Sequence, residues 1–141
     1  MTVNQILSRK GNEIFFVTST ITVYEAIKVM GEKNIGAVLI IEDAKLKGIL
    51  SERDYARKVV LRNKASKDTL VKEIMDQEFV TIKPTDNIED CMELMSTKKV
   101  RHLPVIDNEI VVGIISMSDV VKAIIEMQKT TIQHLDSYIS Q

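Results

Sequence analysis

Shifted against itself by 65 positions, the chain aligns residues 17–57 with 82–122 without a gap, and a duplication of this length limits the fold more than any single motif does. Identical pairs include Thr20 and Thr85, Met30 and Met95, Lys33 and Lys98, Gly48 and Gly113, Ile49 and Ile114, Ser51 and Ser116, and Asp54 and Asp119. Both copies also carry the same order of physical patterns. Val23, Ala26, Ile27 and Met30 recur at the i, i+3, i+4, i+7 spacing of a buried helical stripe, and Ile88, Cys91, Met92 and Met95 answer them. Thr22 with Glu25, and Asn87 with Asp90, set a capping oxygen before each stripe and an acid three residues on, near the positive end of the helix dipole.

Two β-rich runs follow each helix, AVLII and KGILS in copy one, LPVID and VVGIIS in copy two, with polar turns EDAK and DNE between them. A second helix is expected after each SxxD, beginning near Asp54 and Asp119. Each copy therefore reads β, α, β, β, α, an α+β arrangement. About 60 residues bury two helices and a sheet poorly alone, so the copies are expected to pack together. We divide the chain at 1–65 and 66–141, with the polar stretch RNKASKDTL (62–70) as the connection. Leu7 of VNQIL and Met75 of VKEIM stand in equivalent leaders before the first strands. From Asp119 to about Tyr138, Val121, Ile124, Ile125, Gln128, Ile132, Leu135 and Ile139 keep a helical stripe, open to two uses: packing on its own domain, or a dimer contact.

VKEIM, KKVRHLPVID (98–107) and the paired closures GILSERD and GIISMSD together resemble a tandem pair of CBS domains, the cystathionine-β-synthase-type regulatory module. The resemblance spans nearly the whole chain. It implies two β-α-β-β-α repeats packed with pseudo-two-fold symmetry around paired small sheets. It also implies clefts between the repeats that hold adenosine-containing ligands such as AMP, ADP, ATP, NAD or S-adenosylmethionine. Modules of this kind regulate and do not catalyse, and they commonly form homodimers.

An ionised carboxylate accepts both hydroxyls of a ribose cis-diol, so Asp54 and Asp119 are the candidate ribose clamps. Ser51 and Ser116, with Ser118 as a further hydroxyl, reach a phosphate beside backbone N–H groups at a helix start. The alternative for each SxxD is purely local, a serine N-cap completed by the aspartate as a capping box. Arg101 and His102 of VRHLPV stand where the resemblance places cationic phosphate contacts. In copy one their equivalents are Gly36 and Ala37, and Leu39 replaces Pro104, so the two sites are chemically unequal; Arg53 is the candidate cation there. Adenine is expected against Thr18, Gly36, Ala37 and Val38 in one site and against Lys83, Leu103 and Pro104 in the other.

Composition narrows the alternatives. With 19 basic and 20 acidic residues the net charge is -1, which gives no overall pull toward nucleic acid or membrane. Aromatics at 4% provide few stacking platforms for single strands. The longest unbroken apolar run, Ala37 to Ile41, is far short of the roughly 20 residues of a membrane helix. The N-terminus shows no basic leader with an apolar run, so a cytoplasmic location is expected. The single cysteine, Cys91, excludes an internal disulfide and any CxxC metal motif, and it reads as core. GxSxG, HExxH and a Walker loop are all missing, so no catalytic residue, metal or catalytic cofactor is assigned. The expected function is a regulatory module that binds an adenine nucleotide or NAD and signals to an effector protein. A structural or protein-interaction domain is the alternative.

Overall fold

The computed structural model describes residues 1–11 and 13–140. Six α-helices and five strands are found among them: α1 Val3–Lys10, β1 Phe16–Val17, α2 Val23–Lys33, β2 Ala37–Glu42, β3 Lys45–Ser51, α3 Glu52–Tyr55, α4 Val71–Ile74, α5 Ile88–Lys98, β4 His102–Asp107, β5 Ile110–Ser116 and α6 Met117–Ile139. The fold is α+β. One sheet has the order β1-β2-β3 and the other pairs β4 with β5.

The expected local signals operate in both copies. Thr22 Oγ1 accepts from Glu25 N (3.2 Å) and Asn87 Oδ1 from Asp90 N (2.8 Å), which starts α2 and α5. Both helices end on a left-handed residue, Asn34 (φ 54°) and Lys99 (φ 56°). The hairpins turn through Asp43–Ala44 (φ 53° and 61°) and Asn108–Glu109 (φ 50° and 67°), the positive-φ pairs whose twist matches that of the flanking strands. Val23, Ala26 and Met30 on α2, and Ile88, Cys91 and Met95 on α5, are buried, but the fourth member of each expected stripe is not: Ile27 is half-buried and Met92 is exposed, so the buried face is narrower than the spacing predicts. Burial, then the Asp86 and Asp90 charges, push the Cys91 thiol up to about 11, so it stays protonated in the core.

Three expectations are corrected. The helix after each SxxD starts inside the motif, at Glu52 and Met117, with the serine as its cap and the aspartate in its first turn. In copy one that helix is α-helical for a single turn and continues as a π-helix over Ala56–Val60. The first strand of copy two is reduced to one parallel bridge, Ile82 to Val105.

The spatial units do not follow the sequence copies. One unit comprises residues 1–11, 81–107 and 112–140; the other comprises 13–80 and 108–111. The leaders account for this. In the first unit α1 docks where α5 begins: Val3 N donates to Asp86 O (2.8 Å), Asn4 N to Pro84 O (2.9 Å) and Ile88 N to Met1 O (3.1 Å). In the second, α4 docks where α2 begins: Val71 N donates to Ile21 O (2.9 Å), Lys72 N to Ser19 O (3.0 Å) and Val23 N to Thr69 O (2.8 Å). Each leader thus serves the copy that it does not precede. Val3, Ile6 and Leu7 are buried in the first unit. The core of the second gathers Val17, Val23, Ala26, Met30, Val38, Ile40, Leu50, Val59, Val71 and Ile74.

The same docking explains the shared glycines. A Cβ on Gly48 would lie 2.9 Å from Met75 Sδ and 3.0 Å from Asp76 O. On Gly113 it would lie 2.7 Å from Leu7 Cδ2. Asp76 O is fixed by its bond from Ile49 N (3.0 Å), whereas the Leu7 side chain can rotate. Gly48→Ala is therefore expected to destabilise by about 1–3 kcal/mol and Gly113→Ala by less, because overpacking costs most where the neighbour cannot yield. Chemical denaturation of both variants checks the order, and a reversed order contradicts this packing argument.

Candidate ligand site

Ser51 and Ser116 end β3 and β5 in extended conformation, and the same box forms at both. Ser51 Oγ accepts from Asp54 N (3.2 Å), while Asp54 Oδ2 accepts from Ser51 N (3.0 Å) and from Ser51 Oγ (3.1 Å). Ser116 Oγ accepts from Asp119 N (3.1 Å), and Asp119 Oδ2 accepts from Ser116 N (2.8 Å). The local capping arrangement is thus present at both turns. It does not exhaust the carboxylates, since an ionised carboxylate has about four acceptor positions. Each Asp side chain retains 18% exposure, so the turn holds the carboxylate in place while its outer edge meets solvent.

The first amide of each helix, expected to face a phosphate, is tied down instead. Glu52 N donates to Gly36 O (3.0 Å) and Met117 N to Arg101 O (2.8 Å). Because Gly36 and Arg101 are equivalent in the repeat, these bonds fix the start of β2 beside the Ser51 turn and the start of β4 beside the Ser116 turn. Register adds that Ala37 pairs with Ser51 and Val38 with Leu50.

Lysines meet both aspartates. Lys10, at the end of α1, donates to Asp119 Oδ2 (2.7 Å) and Ile114 O (2.9 Å). Lys58 lies 3.3 Å from Asp54 Oδ1 and donates to Ile74 O (3.0 Å), at the end of α4. A leader helix is therefore tied through a lysine to each SxxD turn. Asp119 is half-buried; burial raises its pKa, but hydrogen bonds from Lys10 and Ser116, with the Lys10 charge, outweigh that and hold it below the usual carboxylate value. Burial first, then the Lys10 charge, lower the His102 pKa; Asp119 opposes them and Arg101 adds to them. His102 is thus neutral at pH 7 and brings hydrogen bonding, not charge.

Arg53, Arg101 and Ser118 are exposed beside their turns. Leu103 and Val38 are fully buried, backbone included, and Pro104 is buried with its carbonyl accepting from Ile82 N (3.0 Å), so these three expected adenine contacts present almost no surface to a ligand. Thr18 stands apart. The parallel register Phe16 to Leu39 and Val17 to Ile40 carries it toward the hairpin end of β2, roughly 13 Å along the strand from Ala37. Lys83 follows Ile82, the partner of Val105, and is likewise displaced from His102 along β4. Lys10 escaped the sequence reading because 109 positions separate it from Asp119. Lys58 was legible in principle, four residues after Asp54 on one helix face. Among the described residues no cluster of His, Cys, Asp and Glu could hold a metal, and no helix is long and apolar enough to cross a membrane.

Two small sheets, duplicated SxxD turns and docked leaders define a tandem α+β repeat, and comparison with known proteins makes the class specific. The family model "CBS domain" matches residues 3–61 and 71–126. The chain belongs to the CBS domain family. The CBS domain-containing protein CBSX3, mitochondrial, of Arabidopsis thaliana is 34% identical over 147 residues, covering 98% of this chain and 71% of that protein. A solved structure of a protein with CBS domains from Burkholderia ambifaria MC40-6 is 45% identical, with a TM-score of 0.86 over 89% of this chain and 95% of that one. The CBS domain pair of protein MJ0100, solved in complex with 5'-methylthioadenosine and S-adenosyl-L-methionine, is 27% identical with a TM-score of 0.79, covering 88% of this chain and 95% of that one.

Proposed function

We propose that the chain is a cytoplasmic regulatory sensor, not an enzyme, that binds an adenosine-containing nucleotide (AMP, ADP, ATP or NAD) and passes occupancy to a partner protein. The observation that carries this reading is the twice-built turn in which a serine cap positions an aspartate side chain that keeps 18% of its surface exposed. Ribose hydroxyls donate to Asp54 and Asp119. Ser51, Arg53, Arg101, His102, Ser116 and Ser118 serve the phosphate side. Adenine lies on the side of Gly36 and Ala37 in one site and beyond Arg101 and His102 in the other, where Val38, Leu103 and Pro104 act only as buried support and Thr18 and Lys83 stand too far along their strands for direct contact. The adenosine ligands of the MJ0100 pair support the same ligand class here.

Calorimetry and thermal melting with AMP, ADP, ATP and NAD test it. Ligand at a hundred times its Kd is expected to stabilise by about 2.7 kcal/mol through mass action. No stabilisation by any of the four at millimolar concentration removes the reading.

A second reading, that the chain is an interaction module, rests on α6. Its inner face is buried at Val120 and Ala123, while Val121 (47% exposed), Ile125 (46%), Ile132 (57%), Leu135 (57%) and Ile139 (79%) run along another face. Spaced 4, 7, 3 and 4 apart, with Gln128 in the gap, they keep the 3.5-residue period of a coiled-coil seam, and we assign this face to a homodimer. Truncation after Glu126 is expected to halve the mass seen by light scattering. Unchanged mass counts against the seam.

A further inference from the structure

The lysine on Asp119 comes from a distant helix. The cap of α1 is a full box, with Gln5 Oε1 accepting from Thr2 N (2.8 Å), and α1 is pinned to the start of α5 by its backbone bonds. Lys10 at the other end of α1 is therefore delivered to the Ser116 turn by a fixed rod. Its ammonium has three donors. Two are used, on Asp119 Oδ2 and Ile114 O, which leaves one N–H of a group that is one-third exposed.

We propose that Lys10 is the charge-selecting residue of the Asp119 site, its third donor meeting a ligand phosphate while Asp119 holds the ribose, so that this site takes phosphorylated adenosine ligands in preference to neutral adenosine. The inference rests on the ligand reading above and adds to it the residue that selects for anionic charge. Three observations converge on it. Lys10 brings positive charge to both Asp119 and His102, and Arg101, next to His102 in the chain, adds to it there. His102 is neutral at pH 7, so cationic recognition falls to the other two. Copy one carries a lysine on its aspartate as well, but Lys58 comes from the helix that follows the turn and not from a leader, and Gly36 and Ala37 replace Arg101 and His102, so the further cation is missing there.

Calorimetry of the full chain with AMP and with adenosine tests the inference, using Asp54→Ala as the background so that the Ser116 turn alone is read. AMP is expected to bind more tightly than adenosine. Lys10→Met is expected to weaken AMP by about tenfold, the loss of one charge-assisted contact, and to leave adenosine within about twofold. Lys10→Arg, which keeps the charge, should restore most of the AMP preference, and melting temperatures of both variants separate a folding defect from a binding one. An AMP-to-adenosine ratio unchanged in Lys10→Met, or equal losses for both ligands, overturns the role of Lys10. Equal affinity for the two ligands in the background protein overturns this inference alone, whereas binding of neither to the wild-type chain overturns the ligand reading on which it rests.

Discussion

Replacing Ile6 and Leu7 by alanine is expected to remove about 4–10 kcal/mol of stability, the sum of two large-to-small changes at buried sites. That is comparable with the whole stability of a small domain. Ile6 is 6% exposed and Leu7 4%, and Leu7 lies against Gly113 with no room for even a methyl group between them. Asn4→Ala on the exposed face of the same helix should leave the melting temperature nearly unchanged. The location of the damage is the sharper test. Hydrogen-exchange protection should fall first in residues 81–107 and 112–126, because α1 is bonded to Pro84, Asp86 and Ile88. Were α1 a part of the copy that it precedes, protection would fall first in residues 14–60. Such a result would contradict the division of the chain described above.

That distinction marks where sequence reasoning stops. Signals confined to a few residues were legible: the caps Thr22 and Asn87, the buried stripes of α2 and α5, the paired strands on either side of EDAK and DNE, and the serine-to-aspartate box at both turns. Each depends on neighbours three or four positions apart, which the chain itself brings together. The equivalence of Leu7 and Met75 was also legible, since a duplication repeats its leaders. Which copy each leader serves was not. Local patterning gives α1 a buried face, but nothing within Val3–Lys10 distinguishes a dock at Ile21 from a dock at Asp86. The choice depends on tertiary packing. Lys10 shares this cause, because its role exists only once α1 has docked. The π-helical turn at Ala56–Val60 has no local signal that we can name.

Asp54→Asn and Asp119→Asn are each expected to weaken AMP binding by tenfold or more at their own turn, and the double variant to abolish it at millimolar concentration. Hydrogen bonds to a charged acceptor contribute about 1.5–3 kcal/mol each, and every 1.4 kcal/mol is tenfold in affinity, so loss of one ribose contact suffices. Both turns are also capping boxes, and a broken cap lowers stability by about 0.5–2 kcal/mol whatever binds there. The two roles separate by substitution. Asparagine retains an oxygen that can accept from Ser51 N or Ser116 N, so the box survives in part while the charge is gone. Ser51→Ala and Ser116→Ala do the opposite: they remove the cap oxygen that receives Asp54 N or Asp119 N and leave the carboxylate in place. If ribose is held by the carboxylate, affinity for adenosine, which has no phosphate for the serines to meet, falls most in the asparagine variants and stability falls most in the alanine variants. If instead affinity follows melting temperature across all four, the aspartates act only through their caps, and the duplicated turn is a device for starting helices.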